Sequence, residues 1–119
     1  MRRGHMIEHE GHKTWTMAVE NMPYSIRELL KDENRSIEDV DFFIFHQANL
    51  ILNQYVLDKM KIPREKSYIN VDEIGNTGAA SIGIALDEAV KKGLVKKDML
   101  LMLVGVGAGF NFGANLWRI

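Results

Sequence analysis

Three short stretches carry residue types that acid–base, oxyanion-binding or ligand-cradling chemistry draws on. They are His46 with Gln47 and Asn49, the loop Gly75-Asn76-Thr77-Gly78, and the glycine run Gly105, Gly107 and Gly109. Imidazole and carboxamide N–H groups can hold a developing negative charge, and glycines let backbone approach a ligand closely. Each stretch also has an ordinary structural reading. A histidine at a strand end can simply satisfy its neighbours, and an asparagine between glycines caps a helix or tolerates left-handed backbone. A dinucleotide loop needs a helix directly after its glycines to hold the pyrophosphate, whereas residues 110–119 run as a strand. A fourth set, His5, His9 and His12, is spaced to share a helix face and could hold zinc. Gly4 and Gly11 weaken a helix there, and Gly4-His5-Met6 has the look of a cloning remnant. The expectation for residues 1–12 is therefore a solvated, disordered tail without a metal.

Composition narrows the chemistry further. The chain contains no cysteine, so it cannot itself carry a disulfide scaffold, a cysteine zinc site, an iron–sulfur cluster or a thiol nucleophile. No cofactor is expected. Fifteen Lys+Arg against sixteen Asp+Glu, a formal net charge of -1, give no field that would draw nucleic acid or an anionic membrane. No apolar run approaches the ~20 residues of a membrane span, and the first residues lack the apolar stretch of a signal peptide, so a cytoplasmic protein is expected. At 119 residues, the chain makes one domain at most.

The elements that must position these stretches follow from periodicity. Met17, Ala18, Met22, Ile26, Leu29 and Leu30 form one stripe of a helix over 14–31, which Pro23 should kink or restart. Ser36 and Asp39 should cap a short turn. Residues 40–45 suit a buried strand, 47–60 a helix ended by Pro63, and 67–71 a short second strand. A turn at 75–78 leads to a helix over 79–92 closed by Gly93. A third strand is expected over 99–104, broken by the three glycines, and a fourth over 115–119. This alternation predicts an α/β fold with a mostly parallel sheet, its last strand reversed, and helices packed on it. The three chemical stretches would then follow three strand ends and crowd one edge of the sheet.

Taken together, the motifs carry a resemblance. His46-Gln47-Ala48-Asn49, then Gly75 to Ser81, then Leu86-Asp87-Glu88-Ala89-Val90, then Gly107-Ala108-Gly109-Phe110 before a terminal strand, closely resemble the C-terminal half of 3-oxoacyl-acyl-carrier-protein synthase III. This family of thiolase-like condensing acyltransferases starts bacterial fatty acid synthesis. The resemblance runs from about Glu10 to the end of the chain. It implies a decarboxylative Claisen condensation of malonyl-acyl carrier protein with an acyl-coenzyme A primer. In that reaction His46 and Asn76 hold the thioester oxygen as carbon dioxide leaves, and neutral histidine suffices. It further implies that backbone near Ala108, flanked by Gly107 and Gly109, forms a second oxyanion hole, and that Asn49 contacts the pantetheine arm.

The departures carry expectations of their own. Ile51 stands where many members have an arginine that helps dock the carrier protein, which raises an alternative reading as a secondary-metabolism enzyme using coenzyme A thioesters. Asn111-Phe112 replaces the commoner Thr-Trp. The family's nucleophilic cysteine belongs to an N-terminal half, so this chain alone is expected to be inactive and to need that half as a partner. A cysteine-free partner subunit is a further alternative. The family's half is also taken to begin with a mid-sheet strand, which this chain, with its domain over 13–119, would lack. Unpaired strand edges are unfavourable, so a homo-oligomer, or filling of the gap by residues 1–12, is expected.

Overall fold

The computed structural model describes residues 11–119. His5 and His9 lie outside the described residues, while Gly11 and His12 open the first helix instead of belonging to a tail. That helix, α1 (Gly11–Asp32), runs unbroken through Pro23 and buries Ala18, Met22, Pro23, Ile26 and Leu30 on one stripe. A proline at this point removes the N–H that would bond the carbonyl four residues back, that of Val19. Here the Lys59 ammonium from the neighbouring helix donates to the Val19 carbonyl at 3.0 Å, restoring its partner. Lys59→Met is therefore expected to lower unfolding free energy by about 1 kcal/mol. In a Pro23→Ala background, where a backbone N–H returns, the loss should shrink. Urea titration of the four chains checks this, and an equal loss in both backgrounds contradicts the coupling.

Strand β1 (Phe42–Phe45) is buried on both faces. It pairs in parallel with β2 (Leu100–Gly107), in register Phe42 with Leu101 through Phe45 with Val104. β2 pairs antiparallel with β3 (Asn111–Arg118), so the sheet has three strands in the order β1-β2-β3. The short helical turn at Ile37–Asp39 is entered as expected, with the Asp39 carboxylate accepting from the Ser36 N–H at 2.8 Å. Helix α2 (Leu50–Lys59) returns from β1 and packs with α1 on one face of the sheet. The core there gathers Met22, Ile26, Phe43, Phe45, Val56, Leu57, Met102 and Val104. On the opposite face, α4 (Ser81–Lys91) lays Ala85 and Ala89 over Phe42, Ile44 and Leu101. A single helical turn, α3 (Val71–Ile74), precedes it.

Three expectations change. The strand expected over 67–71 reduces to one parallel bridge between Phe43 and Ser67, and Val71 begins α3. The reason is local: the Asn70 N–H donates to the Gln47 side-chain oxygen at 3.0 Å, not to a neighbouring strand. The glycines do not break β2, because the ladder runs on through backbone groups alone, pairing Gly105 with Gly113 and Gly107 with Asn111. β3 accordingly begins at Asn111 rather than Asn115, and the sheet contains one parallel and one antiparallel pair where a mostly parallel sheet of four strands was expected. β1, β2 and β3 pair consecutively, a three-strand mixed sheet consistent with part of a larger domain. Among the described residues both outer strands leave an edge, that of β1 carrying only the single bridge from Phe43 to Ser67 and that of β3 unpaired.

Candidate active site

His46 is fixed where β1 ends. Its backbone N–H continues the parallel ladder by donating to the Val104 carbonyl at 2.7 Å, and its own carbonyl accepts from the Asn53 amide at 3.3 Å. The adjacent Gln47 is 1% exposed and ties the turn together. Its amide donates to the Phe45 carbonyl at 2.7 Å and its oxygen accepts from the Asn70 N–H. The Asn70 amide in turn donates to Glu88 on α4, which also accepts from the Tyr68 hydroxyl at 2.9 Å. The loop before α3 is thus anchored at both ends. The imidazole Nδ1 of His46 lies 2.7 Å from the Ser81 hydroxyl at the start of α4. Burial pushes the imidazole below its ordinary pKa of 6.5, so the ring is neutral at neutral pH.

Asn76 follows α3, which Gly75 terminates at φ 76°. A methyl group at Gly75 would meet no atom within 4 Å, so conformation alone calls for glycine here. The Asn76 oxygen accepts from the Gly78 N–H at 2.9 Å, which leaves the amide NH₂ as the end of the side chain able to donate. Beyond β2, the hairpin turn through Ala108, Gly109 and Phe110 is braced by the Asn111 amide on the Ala108 carbonyl at 3.4 Å. Gly109 adopts φ 138°, where glycine is required. At Gly107 an added methyl would make only an ordinary 3.9 Å contact with Asn111, so the fold itself does not demand glycine there.

These loops meet in one cleft of about 320 Å³. His46, Asn76, Asn49, Gly107 and Ala108 all line it, whereas Gly109 sits in the turn outside its wall. Asn49 has a second task as the N-cap of α2, where its oxygen accepts from the Leu52 N–H at 2.8 Å. The wall also contains Phe110 from the quoted glycine motif, and Trp15, Leu52 and Val106, which motif reasoning missed. Trp15 was legible in principle, because it stands one turn before Ala18 and Met22 on the same helical stripe. Its ring packs on Tyr55 at 5.4 Å between centroids. Helices α2 and α4 both begin beside the cleft, and their partial positive ends favour an anion there. Apolar walls, two side-chain N–H donors and two helix N-termini suit a substrate oxygen that becomes negative during reaction. Among the described residues no cluster of His, Asp and Glu could hold a metal, and no helix is long and apolar enough to cross a membrane.

Comparison with known proteins agrees with the motifs. The family model "3-Oxoacyl-[acyl-carrier-protein (ACP)] synthase III C terminal" matches residues 30–119. Beta-ketoacyl-[acyl-carrier-protein] synthase III of Clostridium tetani is 44% identical over 110 residues, 92% of this chain and 33% of the relative. That of Clostridium novyi is 43% identical over 90% of this chain and 33% of its own length. The crystal structure of the Aquifex aeolicus synthase III superposes with a TM-score of 0.91 at 39% identity, covering 95% of this chain and 37% of that one. The chain thus spans about a third of the length of the curated relatives it matches.

Proposed function

The chain belongs to the 3-oxoacyl-acyl-carrier-protein synthase III family, as its C-terminal part, and from that membership we propose that its cleft supplies the donors for decarboxylative condensation of a malonyl thioester. The observation that carries this reading is the state of the two side chains. His46 Nδ1 lies 2.7 Å from the Ser81 hydroxyl and the Asn76 oxygen accepts from the Gly78 N–H, so the ring Nε2 and the Asn76 amide NH₂ are the ends left for a substrate oxygen. As the malonyl carboxylate leaves as carbon dioxide, its bonding electron pair moves toward the thioester, and negative charge grows on the thioester oxygen. Two fixed donors at that oxygen lower the barrier. The resulting enolate carbon attacks an acyl thioester, a carbon–carbon bond forms and a thiolate leaves. Backbone at Ala108 holds the oxygen of that second thioester, and Asn49 meets the pantetheine arm.

This chain has no cysteine, so the nucleophile must come from residues outside it. The test is a hybrid in which the chain replaces the matching C-terminal third of the Clostridium tetani synthase. Such a hybrid is expected to condense malonyl-acyl carrier protein with an acyl-coenzyme A primer. A folded hybrid without condensing activity would sink the reading. One feature favours a variant of it. Ile51 is 70% exposed on α2, where the family resemblance implies a carrier-docking arginine, and this favours coenzyme A thioesters as the malonyl carrier. Ile51→Arg is then expected to lower KM for the carrier-protein substrate several-fold while leaving kcat and the coenzyme A substrate unchanged. A carrier-protein KM that Ile51→Arg does not move argues for carrier docking elsewhere.

A further inference from the structure

We propose that Ser81 is the positioning residue that fixes His46 in a single tautomer, with the proton on Nε2 and aimed at the cleft. The Ser81 side chain is 1% exposed, and its oxygen accepts from the Gln47 backbone N–H at 3.2 Å. Among the described residues the hydroxyl hydrogen has one acceptor in reach, His46 Nδ1 at 2.7 Å. If Nδ1 carried the proton instead, the buried hydroxyl hydrogen would have no acceptor among the described residues. The bond made by one ring nitrogen thereby sets the protonation of the other. Ser81 also opens α4, an eleven-residue helix whose N-terminus disfavours a positively charged ring beside it. The arrangement holds the ring neutral and donating without asking it to exchange a proton. Gln47 belongs to the same device, since its backbone N–H takes one of the two serine lone pairs and holds the hydroxyl oxygen in place.

The tautomer follows from geometry alone, while its importance for turnover rests on the function proposed above. Two readouts separate them. In the 119-residue chain labelled with ¹⁵N-histidine, long-range ¹H–¹⁵N correlation is expected to show His46 Nδ1 as the unprotonated nitrogen and Nε2 as the protonated one. Ser81→Ala is expected to give a mixture, and Ser81→Thr, which keeps the hydroxyl, to restore the single form. In the hybrid, Ser81→Ala should lower kcat roughly tenfold with KM held, less than loss of a donor itself, and Ser81→Thr should recover it. If Ser81→Ala does not fold, the unsubstituted spectrum still decides. A protonated Nδ1 in that spectrum, or a folded Ser81→Ala chain that keeps pure Nε2–H, overturns the proposal. An inactive hybrid with the expected tautomers supports this inference and counts only against the function.

Discussion

Replacing His46 with alanine in the hybrid should lower kcat for condensation by about 10² to 10³ while moving KM little, and Asn76→Ala should do the same. Removing one preorganised oxyanion donor costs roughly 3 to 4 kcal/mol of barrier in enzymes of this kind of chemistry, because the donor matters most when charge is greatest. Neither substitution empties the core. His46 and Asn76 line the cleft, and the His46 backbone is held through the Val104 carbonyl. Both variants should stay folded, each losing about 1 to 2 kcal/mol of stability as the Ser81 hydroxyl loses the imidazole and the Gly78 N–H loses the Asn76 oxygen. The pH profile gives a second check. Folding lowers the His46 pKa below 6.5 through burial, so the folded state binds fewer protons than the unfolded chain as pH falls. The neutral ring's contribution to stability is complete above about 6.5 and is lost as pH falls through the depressed value. Condensation should be level above 6.5 and decline on the acid side, as protonation of Nδ1 ends its bond with Ser81. Initial rates with substrate titration, repeated across pH, read both effects. A histidine variant with unchanged kcat removes His46 from the chemistry.

The second large effect concerns stability. Gln47→Leu is nearly isosteric, yet it takes away the donor to the Phe45 carbonyl and the acceptor of the Asn70 N–H in a fully buried position. Both backbone groups are left without partners where water does not reach. Each such loss costs about 1 to 3 kcal/mol, so a drop of about 2 to 4 kcal/mol in unfolding free energy is expected from urea titration. The released Asn70 segment leads directly into α3 and the Asn76 loop, so kcat in the hybrid should fall as well. A change below about 0.5 kcal/mol would show that the loop is held by other means.

How much of this could be read from residues alone depended on the range of the interaction. α1, α2, α4 and β1 follow from local periodicity, and the structure moves their ends by only a few residues. The segment 67–71 reads as a short strand, but its decisive donor, Asn70 N–H, is claimed by a side chain 23 positions away. Local pattern holds no record of that competition. β2 was expected to stop at its glycines because glycine weakens strands, whereas pairing with β3 holds the backbone extended through Gly107. At the cleft, spacing brought His46, Asn76 and the glycine loop to one edge, and the family resemblance gave the pair its joint role. Ser81 stood inside the quoted motif without a task, since its partner lies 35 positions earlier on a different element.

If this cleft stabilises the oxygen of a decarboxylating malonyl thioester, the hybrid releases carbon dioxide from that substrate. Release is expected well above the enzyme-free rate, falling by at least 10² in the His46→Ala/Asn76→Ala double variant. Release at the parent rate from a double variant with unchanged circular dichroism would contradict that role of the cleft.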